Sequence, residues 1–214
     1  MSLEKGLAVH RNPESSCMSE FTLPVVLGIA LAAATGFRVF LPMLIVSAAA
    51  YTGHLSLDSS FAWLGTSSAL AMLSVATLVE ILAYYIPVID NLLDSATTPA
   101  AFVAGTIVSA AVMTDVPPMM KWTAAVIAGG GIAGLTQGVT AVLRAHSTVL
   151  TGGLGNSVIA TAELGGALLI SFLALAAPAA AIALVILFLW LSIRVFHRLF
   201  RGSRSRGTPA TRAD

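Results

Sequence analysis

Thr77-Leu78-Val79-Glu80-Ile81-Leu82-Ala83-Tyr84-Tyr85-Ile86-Pro87-Val88-Ile89-Asp90-Asn91-Leu92-Leu93-Asp94-Ser95-Ala96-Thr97-Thr98 is the stretch whose reading decides the fold. At helical spacing Thr77, Glu80, Tyr84, Pro87, Asn91, Asp94 and Thr98 share one face, while Leu78, Leu82, Ile86, Ile89 and Leu93 fall mostly elsewhere. The pattern is a polar seam through an apolar helix. A carboxylate costs several kcal/mol in hydrocarbon unless it is paired, hydrated or neutralised, so such a seam has to face protein or water.

The composition around the seam points the same way. The 214 residues are 57% hydrophobic and 10% charged, with a mean hydropathy of +0.91. That is too apolar for a soluble domain and suits an all-α, polytopic membrane helical bundle. Its partner is the lipid bilayer, and no nucleic-acid site is expected, although the net charge is +1. The arginines Arg194, Arg198, Arg201, Arg204, Arg206 and Arg212 read as a topology anchor beside a spanning helix. The sequence divides into a flexible cytoplasmic tail over 1–20, a membrane domain over 21–200 and a basic cytoplasmic tail over 201–214. The lone Cys17 lies in the first tail and has no internal disulfide partner.

About six spans are expected, with both termini in the cytoplasm and the protein in the inner (plasma) membrane. The first covers Thr22–Ala50, starts near Pro24, and carries Thr35-Gly36-Phe37-Arg38 ahead of Pro42, where a kink is predicted. The second covers Ala62–Ile89 and is ended by Pro87. A restart at Pro99 gives a short third span to Met113, with Asn91–Gly105 a candidate re-entrant segment. The fourth covers Met119–Leu143, and residues 144–156 are predicted to form a polar, glycine-rich loop. Spans five and six lie on either side of Pro178. Ala76-Thr77-Leu78-Val79-Glu80 and Ala160-Thr161-Ala162-Glu163 echo one another across a one-residue gap, a weak sign of an inverted repeat.

Deep charges are few. Arg38, Glu80 and Glu163 sum to minus one, so one glutamate is left to be protonated, wetted or neutralised by a cation. A second group collects Asp90, Asp94, Arg144 and His146, with Asn91 and Asn156 as neutral partners. Two readings stay open. In one, a transporter or channel for an ion or small solute has its pathway lined by Arg38, Glu80, Tyr84, Asp90, Asn91, Asp94, Gln137, Arg144, Asn156 and Glu163. In the other, a structural or lipid-handling module uses the buried charges to fix its helices. Intramembrane catalysis, with Asp90 and Asp94 as its best candidates, ranks third, and no catalytic residue or cofactor is assigned. No metal motif appears, though oxygen ligands suit a hard cation. Gly130, Gly134 and Gly138 repeat at the small-xxx-small spacing and are expected to pack a helix, within the chain or in a homodimer.

Several blocks resemble the bacterial membrane family catalogued as domain of unknown function 4126. They are Thr35 to Met43, Glu80 to Asp94, Thr98 to Thr106, Gly134 to Gly138 and Gly152 to Asn156. The resemblance covers about Thr22 to Pro178 and implies a multi-pass inner-membrane protein. It assigns no activity and no binding residues.

Overall fold

The computed structural model describes residues 13–204, with side chains described for 22–86, 89 and 92–194. The side chains of Asp90, Asn91 and Cys17, and the tail segments 1–12 and 205–214, lie outside the described residues. Eight α-helices make up the fold: α1 (Pro13–Thr35), α2 (Phe40–Tyr51), α3 (Ser67–Ala83), α4 (Pro87–Val112), α5 (Pro118–Ala124), α6 (Gly131–Thr151), α7 (Asn156–Ala176) and α8 (Pro178–Arg204). A 3-10 helix, Ser59–Gly65, leads into α3, and a π-helical turn, Ala125–Gly130, joins α5 to α6.

The expected first span is two helices, not one kinked helix. α1 lays Gly28 on Ser109 and Met113 near the end of α4, and Gly36 on Ala133 and Thr136 of α6. α2 then comes back. Ser47 donates to the Leu64 carbonyl, and beyond α2 the Asp58 amide donates to the Ala111 carbonyl, again near the end of α4. α1 and α2 therefore form a hairpin that dips in from one end of the bundle and turns at residues 36–39. Pro42 sits in the first turn of α2, where no intrahelical bond is lost, and this is why the chain breaks cleanly instead of kinking.

Six spans are not confirmed. Among the described residues three helical segments, Leu92–Val112, Pro118–Thr151 and Asn156–Ala176, are long and apolar enough to cross a bilayer, and Ser59–Gly65 with Ser67–Ala83 is a fourth if the pair, bent by 66°, is one span. The re-entrant segment expected at Asn91–Gly105 is instead continuous helix, since α4 runs through Pro99. Thr97 and Thr98 donate their hydroxyls to the Asp94 carbonyl in the turn that the proline loosens. The predicted loop over 144–156 is also shorter. α6 continues to Thr151 and is capped by Gly152 at φ 63°, a left-handed conformation that favours glycine.

Outward faces are apolar: Met72, Val75, Leu78, Val79 and Leu82 of α3, and Leu169 and Phe172 of α7, are exposed. An apolar surface this continuous marks a helical protein built for lipid. Small residues bring the inner helices together. A Cβ on Gly105 would stand 2.5 Å from Ala133 Cβ, and one on Gly129 would stand 2.6 Å from Ser109 Cβ, so α4 and the π-helical turn approach backbone to backbone.

At the end where the hairpin enters, the half-exposed Trp63 and Trp122 suit a membrane interface. Lys121 Nζ donates to Asp58 Oδ2 at 2.6 Å, and the Ser60 amide donates to Asp58 Oδ1 at 3.0 Å. The lysine bond is the main cause that holds the Asp58 carboxyl below its usual range. A carboxyl depressed in the folded state adds stability above its unfolded value of about 3.9, and that stability is lost as pH falls through the folded value. Thermal unfolding followed against pH is therefore expected to show a wild-type decline below about pH 4 that is reduced in Asp58→Asn.

Candidate functional site

The hairpin tip needs acceptors. At the start of α2 the Val39 and Phe40 amides have no helical partner, and Pro42 presents no N–H at all. Glu80, near the end of α3, supplies the acceptors: Oε1 takes the Val39 amide at 2.7 Å and Oε2 the Phe40 amide at 3.1 Å. Its charge faces the positive end of the α2 dipole. Glu80 thus meets the start of α2 with both of its oxygens.

The other glutamate has arginines. Glu163, in the second turn of α7, pairs through Oε2 with Arg144 Nη2, and Arg38 Nη2 stands 4.0 Å from the same oxygen. Arg144 Nη1 donates to Asp94 Oδ1 at 2.9 Å, so one guanidinium from α6 joins carboxylates on α4 and α7. Arg38 Nη2 donates to the Ala160 carbonyl at 2.9 Å, while its Nε and Nη1 have no partner. Arg38, Arg144, Glu80 and Glu163 are all buried.

Tyr84, where α3 ends, organises the two arginines. The guanidinium carbons of Arg38 and Arg144 lie 3.9 and 4.1 Å from its ring centroid. Each such contact stabilises by up to about 2 kcal/mol when desolvated. The Tyr84 hydroxyl donates to Thr97 Oγ1 at 3.2 Å, and Gln137 Nε2 donates to the same oxygen at 2.8 Å. Asn156 Nδ2 donates to Thr148 Oγ1 at 2.9 Å, one turn past Arg144.

The structure therefore gathers Arg38, Glu80, Tyr84, Asp94, Gln137, Arg144 and Glu163 around one ring. Asn156 lies at its edge, and His146 points outward, exposed. The seam is split between helices: Thr77, Glu80 and Tyr84 belong to α3 and its cap, while Asp94 and Thr97 belong to α4. Three site members were missed in the sequence: Thr97, the Ala160 carbonyl and the Val39–Phe40 amides. The glycine and proline flanking Arg38 were the signal for the last of these.

Of the expected glycine face, Gly130 meets α4, where a Cβ would stand 2.5 Å from Thr106 Oγ1. At Gly134 a Cβ would reach only Phe102, at 3.8 Å, and at Gly138 it would meet nothing within 4 Å. Among the described residues no cluster of three His, Cys, Asp or Glu side chains suits a metal ion.

A pocket of about 400 Å³ adjoins the network. Its walls are Phe37, Leu143, Ile159, Ile170, Leu184 and Phe188, and Glu163 and Thr140 are its polar groups.

Neither a curated protein nor a solved structure matches the chain. One family does: DUF4126, a domain of unknown function, over residues 25–198, a range that holds the hairpin, the Tyr84 network and the pocket. The protein is a member of that family.

Proposed function

We propose that the protein is a small membrane transporter whose gate is the α1–α2 hairpin tip, with Glu163 as its proton or cation site. The observation that carries this reading is the tip itself. Broken backbone deep in a helical membrane protein is tolerated where it lines a site, and here it brings Arg38 to 4.0 Å from Glu163 and sets the Val39 and Phe40 amides on Glu80. The tip is held by few bonds that cross to other helices: the two amides on Glu80 and the Arg38 bond to Ala160. Glu163 bridges toward both arginines, so a shift of the tip changes which positive charge it faces. Glu163 Oε1 is buried without a hydrogen-bond partner, which leaves this carboxylate to take a proton or a cation.

On this reading α3, α4, α5–α6, α7 and α8 cross the inner membrane and the α1–α2 hairpin adds no crossing. The arginine-rich end of α8 faces the cytoplasm by its charge, and the start of α1 faces the opposite side.

Proteoliposomes loaded with a pH dye test the proposal. Wild-type protein is expected to collapse an imposed pH gradient at least tenfold faster than Glu163→Gln, while Glu80→Gln, which keeps one acceptor for the α2 amides, loses less. Equal rates in wild type, both variants and empty liposomes would refute transport of protons. A second reading, in which the charges only fix the bundle, is favoured by the contact of both arginines with the buried Tyr84 ring. It predicts that Glu163→Gln lowers the unfolding temperature and leaves every flux unchanged.

A further inference from the structure

The pocket beside Glu163 has a polarity that selects its occupant. Its apolar walls come from the hairpin tip, α6, α7 and α8, and Ala162 and Leu169 on its lining are exposed on the outward face of α7. It thus reaches the network from the apolar flank of the bundle, where lipid would lie, and not along the charged seam. Its volume falls within the range of about 300–1,000 Å³ usual for small-molecule sites.

The two polar groups that line it both accept. Thr140 Oγ1 commits its proton to the Gln137 carbonyl at 3.0 Å, which leaves only lone pairs. Glu163 is 3% exposed, its Oε2 faces Arg144, and its Oε1 has no partner. An acceptor-only polar end inside an apolar cavity calls for a hydrogen-bond donor, and a carboxylate acceptor binds a positively charged donor most strongly. A fatty-acid carboxylate meets neither requirement.

We infer that this pocket binds an amphiphile with an aliphatic chain and an ammonium head, which enters from the bilayer and places its head on Glu163 Oε1. The inference rests on the transport reading only for what happens after binding, and the pocket stands without it. The head belongs to a free lipophilic amine or to an aminophospholipid, two sources with the same chemistry.

Equilibrium binding of radiolabelled decylamine to the protein in phosphatidylcholine nanodiscs, corrected with empty nanodiscs, tests the site. Decylamine is expected to bind at least tenfold more tightly than decanol or decanoate. Gly166→Leu leaves every charge in place. A Cβ at Gly166 would meet only the Phe37 ring, at 3.9 Å, so the longer side chain extends into the pocket. It is expected to weaken decylamine at least tenfold. Glu163→Gln is expected to remove the preference for amine over alcohol, and where it fails to fold, Gly166→Leu carries the test. Competition by phosphatidylethanolamine in the nanodiscs supports the site with an aminolipid as occupant, and its absence supports the site with a free amine. Equal binding of decylamine and decanol, or unchanged decylamine binding in Gly166→Leu, overturns the inference. Binding retained without any flux overturns the transport reading alone, and flux retained without amine binding overturns this one alone.

Discussion

Arg144→Ala is expected to cost about 3–5 kcal/mol of folding stability, because removing one partner of a buried pair leaves the others uncompensated. Here the loss is compounded. Arg144 serves Asp94 and Glu163 together and covers one face of Tyr84, so truncation leaves two carboxylates and a ring without their shared cation. Titration with a denaturing detergent, followed by circular dichroism, measures the change. The double variant Arg144→Ala/Glu163→Ala is expected to be less unstable than the sum of the single effects, since one of the two carboxylates left without Arg144 is gone. Arg144→Lys keeps the charge but lacks the planar fork that reaches two carboxylates, and it is expected to recover only part of the loss. Additive effects in the double variant would mean that the 4 Å-scale geometry of this network carries no coupling.

Gly36→Ala is the second large effect, and its cause is steric. A Cβ at Gly36 would stand 2.4 Å from Thr136 Cβ and 2.5 Å from the Ala133 carbonyl oxygen. The oxygen is backbone, so no change of rotamer relieves the clash, and overpacking of this kind typically costs about 1–3 kcal/mol. The displaced tip also draws the Val39 and Phe40 amides away from Glu80. On the proposed transport reading, flux in proteoliposomes is therefore expected to fall further than stability does. Adding Thr136→Ala leaves the Ala133 oxygen in place and is expected to restore little. A stable, fully active Gly36→Ala protein would show that the tip tolerates movement that the packing forbids.

Much of the site was legible because a bilayer makes polar residues conspicuous. Arg38, Glu80, Glu163, Asp94 and Arg144 stand out among apolar neighbours, and their cost in hydrocarbon requires that they meet. Thr97 was not legible. Threonine is common in membrane helices, and nothing in its neighbourhood distinguishes the hydroxyl that takes both Tyr84 and Gln137 from the exposed Thr98 beside it. The partner of Glu80 was illegible for a different reason, since it is a pair of backbone amides and has no side-chain identity to read.

The break at residues 36–39 shows where local pattern stops being decisive. Gly36 and Pro42 announce a weak point in the helix, and an apolar stretch running from Thr22 to Ala50 is compatible with either a kinked span or a hairpin. Contacts of Gly28 with Ser109, and of Ser47 with Leu64, select the hairpin. Pro99 is the opposite case. The local rule predicts an end, and α4 continues because neighbouring threonines and close packing compensate for the lost bond.

By itself the sequence determined the solvent, because composition and hydropathy sum over the whole chain and need no partner. It also determined which charges must be buried together, because their isolation in hydrocarbon is too costly. The tertiary structure alone decided the pairing. Which oxygen meets which guanidinium depends on the direction in which α2 returns, and that is set by contacts between residues far apart in the chain. Glu80 caps a helix, Glu163 faces the arginines and the pocket, and the polar seam of α3 and α4 becomes the mount for the Tyr84 ring that both arginines contact.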